Sequence, residues 1–234
     1  MKILVACEES QAVTKELRRL GHEAYSCDII KCSGGHPEWH ILGDALNVLN
    51  PEVLFPGELP GIQFFTMDNE YHCFAGKWDM IIAFPPCTYL SNAGACRLYP
   101  KKGQLDMERY QKGLQAKAFF LRFLNSACPR VAVENPVSSS VFEMPRHTQE
   151  IQPYQFNDDG THPYTKKTRL WLRGLPLLVP TTPGCKPAGP YVPAGTGRKT
   201  VKNMVRQNAA RTRKTEQRLF LESHVLWQNN GPGQ

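Results

Sequence analysis

Two residues of this sequence, a cysteine and a glutamate, stand where α/β proteins usually carry reactive groups. Cys87 follows the apolar run 79–83 and two prolines, which end a strand because proline has no N–H to donate to a sheet. Glu134 ends a second apolar run, 130–134. The carboxyl ends of parallel strands meet at one edge of a sheet, where such proteins bind their ligands. The pair therefore predicts a thiol nucleophile and a carboxyl proton donor that face one substrate.

The elements that must position these residues alternate between strands and helices. Apolar runs predict the strands, and the i, i+4, i+7 spacing of Val13, Leu17 and Leu20 predicts a helix that ends at Gly21. The fold class is therefore α/β, with a mostly parallel central sheet and helices on both of its faces. Predicted strands cover residues 2–6, 24–30, 40–42, 79–83, 130–134, 150–154 and 170–172, and predicted helices cover 10–20, 105–125 and 215–228.

Length and composition favour one domain. The chain has 234 residues, of which 41% are hydrophobic and 21% charged, and this is enough for a single globular domain over residues 1–234 with little left for a second. Residues 50–77 are rich in Pro and Gly, and two β-like pieces, 63–66 and 71–74, flank an Asp-Asn turn. This pattern predicts a β-hairpin inserted before the strand that precedes Cys87.

The net charge of +7 predicts an anionic partner and is unevenly distributed. The segment 174–214 is rich first in Pro and Gly and then in basic residues. Its last three cations, Arg211, Arg213 and Lys214, either contact a nucleic-acid backbone or form a solvated surface. No apolar run is long enough to span a membrane, and the eight cysteines follow no disulfide pattern. We therefore expect a cytoplasmic protein with reduced thiols and no membrane partner.

Two short motifs resemble those of the cytosine-C5 DNA methyltransferases. The sequence PCTYLSNAG at residues 86–94 is similar to the family's PCQxFSxAG, and ENP at residues 134–136 is similar to its ENV. The order and spacing of the motifs agree, and the whole chain resembles the short phage and prophage members that lack a target-recognition domain. The resemblance implies a single Rossmann-like domain that uses S-adenosylmethionine as cofactor, has DNA as partner and works in a bacterial host cell.

The resemblance also implies a covalent mechanism. The C5 carbon of cytosine is barely nucleophilic, and addition of the Cys87 thiolate to C6 turns the ring into an enamine whose C5 attacks a methyl group. Glu134 would hold or donate a proton at N3, which requires a carboxyl that is at least partly protonated. Without that chemistry, Cys87 is a buried core cysteine and Glu134 a structural cap or ion-pair partner.

A third motif, TKKTRLWL at residues 165–172, resembles the family's QxRxR followed by an apolar strand. Arg169 fits that pattern, whereas Thr165 and Lys167 depart from it. The resemblance implies that Arg169 braces the target base and that Lys167 and Ser91 contact the nucleic acid. Lysine offers a point charge where arginine offers a fork of donors, so bidentate bracing is expected from Arg169 alone.

The cofactor side of the resemblance depends on the turn after the first strand, residues 6–12, which we call the first turn. The family has FxGxG there, with glycines that let the cofactor lie against the backbone, and this first turn has no glycine. Side chains and the start of the first helix would then hold the amino and carboxyl groups. The residues expected to bind the cofactor are Cys7, Glu8, Glu9 and Ser10 of the first turn, Asp28 and Ile29 at the end of the second strand, Asp44 and Ala45 after Gly43, and Pro85.

Other interpretations of the same residues stay open. The sequence FPPC at residues 84–87 is similar to the Asp/Ser-Pro-Pro-Tyr loop of amino-methyltransferases, although the aromatic residue is missing. The glycine-free first turn also fits a diverged protein that binds nucleic acid or a nucleotide without catalysis. The spacing of Cys27, Cys32, His36 and His40 is tighter than that of a zinc finger, and we expect no metal there. Without a recognition domain, target specificity is short or relaxed, or is supplied by a partner protein or a second copy of the chain.

Overall fold

A computed structural model describes residues 1–190, apart from residues 54–58, 102, 159, 161–162 and 185 and the side chains of residues 95 and 96. The predicted helix over 215–228 and the basic residues Arg211, Arg213 and Lys214 lie outside the described residues. In the described part, the α-helices are α1 (Ala12–Arg19), α2 (Ala95–Leu98) and α3 (Met107–Leu124). The strands are β1 (Lys2–Ala6), β2 (Glu23–Asp28), β3 (His40–Leu42), β4 (Gly61–Phe65), β5 (Tyr71–Ala75), β6 (Met80–Ala83), β7 (Val131–Pro136), β8 (Gln149–Ile151), β9 (Tyr164–Thr165), β10 (Thr168–Arg173) and β11 (Gly189–Pro190).

Seven strands form the central sheet, in the spatial order β3-β2-β1-β6-β7-β10-β8. β1 pairs in parallel with β2 and β6, β2 with β3, and β6 with β7, whereas β10 runs antiparallel to β7. The predicted α/β class with a mostly parallel central sheet is therefore confirmed. The strand order reverses between β1 and β6, because the chain leaves β1 toward one edge of the sheet and leaves β6 toward the other. Open α/β sheets form their ligand-binding crevices at the carboxyl ends of the strands beside such a reversal.

The predicted inserted hairpin is also present. β4 and β5 pair antiparallel, with Phe64 opposite His72. Ile62 and Phe64 are buried and their neighbours along β4 are more exposed, as expected for a strand with one covered face. The Phe64 ring lies 5.8 Å from the ring of the buried Trp78 and 4.9 Å from that of Tyr25 in β2, measured between centroids. The hairpin therefore adds an aromatic layer beside β2 and forms a separate two-stranded sheet.

Several elements begin or end a few residues away from the predicted positions, each for a local reason. α1 begins later than predicted, because Gln11 has a left-handed φ of 55° that a helix does not accommodate. α3 also begins later, after Asp106, whose side chain accepts a hydrogen bond from the Arg109 N–H at 2.9 Å and so caps the helix. The strand predicted over 150–154 is shorter, because a 3₁₀ turn starts at Pro153.

Contacts within the chain divide it into two units. The first comprises Met1–Glu150 and Thr168–Leu177, and it contains the hairpin, the three α-helices and the six strands that carry or precede the predicted catalytic and cofactor residues, β1, β2, β3, β6, β7 and β10. The second comprises Ile151–Lys167 and the chain from Leu178, and its described part holds the short parallel pair of β9 and β11. The single domain over residues 1–234 stays a prediction.

A small apolar cluster beneath α3 holds the chain that follows Cys87. The buried side chains of Leu90, Leu98 and Phe142 form this cluster. α3 approaches it closely at Gly113, where an added Cβ would lie 2.2 Å from two atoms of the Phe142 ring. Because Leu90 lies just after Cys87 in the chain, close packing of α3 also fixes the segment that carries the thiol.

Replacing Gly113 with alanine is expected to lower the free energy of unfolding, although this change inside a helix normally stabilises it by about 1 kcal/mol. The added Cβ would overlap the buried Phe142 ring, and moving the helix or the ring away costs about 1–3 kcal/mol. Urea denaturation of the Gly113→Ala protein measures the change. The matched control is the same substitution in a Phe142→Leu background, where the smaller side chain leaves room and alanine should cost less. A Gly113→Ala protein at least as stable as the wild type would contradict this packing.

Candidate active site

The chain after β6 forms a tight loop, residues 84–92, which we call the Cys87 loop. It begins as a continuation of the sheet, since the Phe84 N–H donates to the Ala6 carbonyl at 3.0 Å. A turn then closes where the Cys87 carbonyl accepts hydrogen bonds from two N–H groups, one of them that of Ser91 at 2.8 Å. Cys87 is half-buried and forms no disulfide. The structure thus places this thiol on a hydrogen-bonded loop at the carboxyl end of β6.

Two sets of hydrogen bonds fasten the Cys87 loop to the end of β7. On one side of Cys87, the buried side-chain amide of Asn135 donates to the Pro85 carbonyl at 3.2 Å. On the other side, Ser91 forms an antiparallel bridge with the chain just after β7, and two backbone hydrogen bonds of 2.8 Å flank that bridge. Glu134 precedes Asn135 in β7 and is only 7% exposed. The structure therefore brings the chain segments of the predicted nucleophile and the predicted proton donor together.

Glu134 and Arg169 leave the sheet on opposite faces. In the pairing of β10 with β7, Arg169 lies opposite Asn135 and not opposite Glu134. Because side chains alternate along a strand, Arg169 shares its face with Trp171, whose ring packs on α3. On that face the Arg169 Nε lies 3.6 Å from the Glu150 Oε2, which makes an ion pair. The structure does not bring Arg169 to Glu134, and its bracing of a base stays a prediction.

The predicted nucleic-acid contacts lie in different parts of the chain. Ser91 is half-buried in the Cys87 loop, where its N–H helps to close the turn. Lys167 is exposed and belongs to the second unit. Their contact with nucleic acid stays a prediction, as does that of the three basic residues beyond the described part of the chain.

The first turn adopts left-handed backbone conformations without any glycine. Cys7 has a φ of 59° and Gln11 a φ of 55°. Residues other than glycine occupy this region at a cost of about 1–2 kcal/mol each. Between them, the Glu8 N–H donates to the Cys27 carbonyl at 3.1 Å, which fastens the turn to β2. The missing glycines therefore do not prevent a left-handed first turn, and the surrounding hydrogen bonds offset its strain.

The Glu8 side chain points into the protein and caps α1. Its Oε1 accepts a hydrogen bond from the Val13 N–H at 2.6 Å, and its Oε2 accepts from the Thr14 N–H at 3.2 Å and the Thr14 hydroxyl at 2.6 Å. The residue is completely buried. Burial raises the pKa of Glu8 to about 7, because the loss of solvent outweighs the hydrogen bonds that favour the carboxylate. Both oxygens are thus engaged within the protein, and Glu8 is a capping residue in this structure.

The Glu8 carboxyl should make the free energy of unfolding fall as the pH rises from about 5 to about 8. Its folded pKa of about 7 lies above the ordinary 4.5, so the folded state binds the proton more tightly than the unfolded chain. This stabilisation is complete below the ordinary pKa and is lost as the pH rises through the folded pKa. Its contribution to the free energy of unfolding is at most about 3 kcal/mol. Urea denaturation at both pH values measures it. The Glu8→Gln protein, whose side chain does not titrate, is the control, and an equal pH dependence in both proteins would exclude Glu8 as the cause.

Glu9 and Ser10 complete the first turn. The Glu9 carboxylate accepts a hydrogen bond from the Ser33 hydroxyl at 2.6 Å, and its carbonyl accepts from the Ser33 N–H at 2.8 Å. The buried Ser10 hydroxyl accepts from the Ala12 N–H at 3.4 Å, just before α1. Glu9 is half-buried, and it joins the first turn to the loop between β2 and β3.

The ends of β2 and β3 carry four more of the predicted cofactor residues, Asp28, Ile29, Asp44 and Ala45. Asp28 is buried and Asp44 exposed, and each accepts a hydrogen bond from the N–H two residues further on, at 3.2 and 2.9 Å. The Gly43 N–H donates to the Asp28 carbonyl at 2.9 Å, which holds the two strand ends together. Ala45 is buried, whereas the Ile29 side chain is 78% exposed, which is unusual for an isoleucine. Two carboxylates and an exposed apolar side chain therefore lie at neighbouring strand ends.

Local sequence patterns do not predict a buried polar network behind the first turn. The Gln11 side chain donates to the His36 carbonyl at 2.7 Å and accepts from its N–H at 3.1 Å. The Ser26 hydroxyl lies 2.9 Å from the His40 Nδ1, and the His40 Nε2 lies 2.9 Å from the Ile30 carbonyl. Burial lowers the pKa of His40, so the ring is neutral. The partners in this network are 10 to 25 positions apart in the chain, so no local pattern connects them. The sequence offers one signal for the network, which is the serine at position 26 inside an otherwise largely apolar strand.

Comparison of the chain with models of known protein families and with curated proteins finds no match. The described residues contain no group of three or more His, Cys, Asp or Glu side chains placed to hold a metal ion. Among the described helices, none is long and apolar enough to cross a membrane. What the chain does must therefore be inferred from its own residues.

Proposed function

We propose that the protein is an S-adenosylmethionine-dependent methyltransferase that transfers a methyl group to C5 of cytosine in DNA. The observation that carries the proposal is the double fastening of the Cys87 loop to the end of β7, which keeps a half-buried thiol and the buried Glu134 on adjoining segments. Covalent addition to a ring and proton donation to the same ring require such an arrangement. The motifs around both residues resemble those of the cytosine-C5 DNA methyltransferases.

In the proposed reaction the Cys87 thiolate forms a bond to C6 of the cytosine while Glu134 holds a proton at N3. The ring then becomes an enamine, and its C5 carbon is nucleophilic. S-Adenosylmethionine, when bound, supplies the methyl group that C5 takes. Water then takes the proton from C5, which re-forms the C5–C6 double bond, breaks the bond between C6 and sulfur and returns the Cys87 thiolate, while the proton at N3 goes back to Glu134.

The ends of β2 and β3 fit a nucleoside cofactor. Asp28 would accept hydrogen bonds from ribose hydroxyls, and its position at the end of β2 supports this role, since a carboxylate there does so in dinucleotide-binding folds. The exposed Ile29 offers an apolar surface for the adenine, and Asp44 offers an acceptor for its amino group. Because Glu8 is engaged with α1, the amino-acid end of the cofactor would contact the backbone of the first turn, Glu9 and Ser10.

A Rossmann-like fold is part of the proposal. Part of the central sheet has the spatial order β3-β2-β1-β6-β7. When the two hairpin strands β4 and β5 are not counted, these are the third, second, first, fourth and fifth strands of the chain. These five strands follow the order of the first five strands of the doubly wound dinucleotide-binding fold, and the sheet then continues with β10, which runs antiparallel to β7, and with β8. Right-handed connections from β1 to β2 and from β6 to β7 would place α1 and α3 on opposite faces of the sheet.

The proposed partner is DNA, and the proposed site of action is the cytoplasm of a bacterial host cell. The net charge of +7 supports an anionic partner, and exposed Lys167 adds a cation close in sequence to β10. The basic residues Arg211, Arg213 and Lys214 extend this proposal beyond the described residues. If this chain by itself recognises only a short DNA sequence, a partner protein or a second copy of the chain would supply further sequence recognition.

Incubation with a tritiated methyl donor and DNA tests the proposal directly. The expected result is tritium in 5-methylcytosine after digestion of the DNA to nucleosides. Label on N4 of cytosine or N6 of adenine would show an amino-methyltransferase instead. Comparison of duplex DNA, single-stranded DNA and free nucleotides in the same assay identifies the substrate, since a duplex base has to leave the stack to be reached.

A second candidate function is nucleic-acid binding without catalysis. The observation that favours it is the engagement of both Glu8 oxygens, which removes one predicted contact for the cofactor's amino group. Isothermal titration with S-adenosylmethionine separates the two functions. Saturable binding supports the methyltransferase, and no heat of binding at millimolar cofactor, with DNA binding retained, supports the second function.

A further inference from the structure

A polar pocket lies beside the Cys87 loop, at the start of α3. It is open to solvent and has a volume of about 220 Å³. Neither the proposed chemistry nor the proposed cofactor site uses any of its residues. Its lining residues are Tyr89, Arg97, Asp106, Glu108, Arg109 and Lys112, and we call it the Arg97 pocket.

The Arg97 pocket is joined directly to the Cys87 loop. The Arg109 Nη2 donates a hydrogen bond to the Thr88 carbonyl at 2.9 Å, one residue after Cys87. The Arg109 guanidinium also lies over the Tyr89 ring, with its Cζ 5.0 Å from the centroid, and the Lys112 ammonium lies 6.0 Å from the same centroid. The Tyr89 ring thus holds two cations on one side of the loop. An anion bound by them would therefore lie beside the Cys87 loop.

The carboxylates of the pocket are already engaged. The Asp106 Oδ1 accepts from the N–H of Arg109 and caps α3. The Glu108 Oε1 lies 2.5 Å from the Lys112 Nζ and is largely exposed. Three cations therefore line the pocket with two carboxylates, and one of these cations, the Arg97 guanidinium, is exposed to a ligand. A guanidinium fork fits the oxygens of a phosphate group.

We propose that the Arg97 pocket binds one backbone phosphate of the DNA, next to the cytosine presented to Cys87. This inference rests on the proposed function for the identity of the partner. Phosphate contacts fix the register of a protein on DNA without reading sequence. Binding there also holds Arg109 and, through it, the backbone that follows the nucleophile.

Two substitutions with opposite expected effects test the Arg97 pocket. Arg97→Gln removes a cation, so binding of a double-stranded oligonucleotide should weaken, and the slope of log Kd against log salt should decrease by about 0.9 for the phosphate lost. Glu108→Gln removes a carboxylate and releases Lys112, so binding should tighten. The control is Arg122→Gln, an exposed arginine in the last turn of the same helix, which should change neither quantity. Fluorescence anisotropy at several salt concentrations measures all four proteins.

The outcomes separate this inference from the proposed function. An Arg97→Gln protein with the salt slope of the Arg122→Gln protein, or a Glu108→Gln protein that binds no tighter than the wild type, overturns the phosphate site even where methyl transfer occurs. The expected changes in slope without any methyl transfer would support the phosphate site and contradict the methyltransferase. A wild-type protein that does not bind DNA overturns the inference as well.

Discussion

Replacing Cys87 with serine is expected to abolish methyl transfer and to leave the fold intact. A serine hydroxyl is a poor nucleophile at neutral pH because it stays protonated, whereas a thiol ionises readily and adds to an electron-poor carbon. The two side chains have nearly the same shape, and the backbone carbonyl of residue 87, which both residues keep, accepts the hydrogen bonds that close the turn. The loss of activity should therefore come from chemistry and not from misfolding.

The measurement for Cys87→Ser is tritium incorporation into DNA, with Cys73→Ser as control. Cys73 is exposed in β5 of the hairpin, so its replacement should leave the rate unchanged. A direct test of the bond uses DNA with cytosine fluorinated at C5. Fluorine does not leave as a proton does, so the wild type and the Cys73→Ser protein should each stay bonded to the DNA, and Cys87→Ser should not. A Cys87→Ser protein that still methylates C5 would rule out the covalent route.

Replacing Glu134 with glutamine is expected to lower the rate of methyl transfer by about 10²-fold or more, as loss of a proton donor usually does. The amide has the shape of the carboxyl, so it fits the same place in β7, where Glu134 is 7% exposed. It gives up no proton to N3, so C6 of the cytosine stays a poor acceptor for the thiolate. Binding of DNA and cofactor should change far less than the rate, because the proton is needed mainly in the transition state.

A single-turnover measurement separates these effects, since it reports the chemical step without product release. The matched control is Glu143→Gln, an exposed glutamate after the chain has left β7, which should keep the wild-type rate. An unchanged rate for the Glu134→Gln protein would show that Glu134 is not a proton donor and has a structural role. A fall in DNA affinity as large as the fall in rate would instead point to a binding role.

The type of most elements in the central sheet and their positions along the chain could be predicted from the sequence, because the signals for them are local. Apolar runs marked β1, β6 and β7, and alternation with an Asp-Asn turn marked the hairpin. The same patterns predicted that Cys87 and Glu134 would meet, because parallel strands bring their carboxyl ends to one edge. The helix ends were less accurate, since they depend on the backbone angle of Gln11 and the capping contact of Asp106.

The direction of each side chain depends on contacts between residues far apart in the chain. The register of β10 against β7 decides that Arg169 leaves the sheet on the face away from Glu134, and one residue of slip would reverse this. Packing of the first turn against α1 turns Glu8 inward as a cap, although its position in the sequence suggests a ligand contact. The Asn135 contact with Pro85 likewise exists only once β6 and β7 are paired.

By itself, the sequence determined the α/β class, the mostly parallel sheet, the inserted hairpin and the two segments that carry Cys87 and Glu134. Periodicity, prolines and turn residues act over a few positions, so they can be interpreted without knowing the fold. Only the tertiary structure decided which carboxylates are engaged, which face each side chain occupies and which cations gather beside the Cys87 loop. Those features follow from strand register, burial and helix packing, which join residues that no local pattern connects.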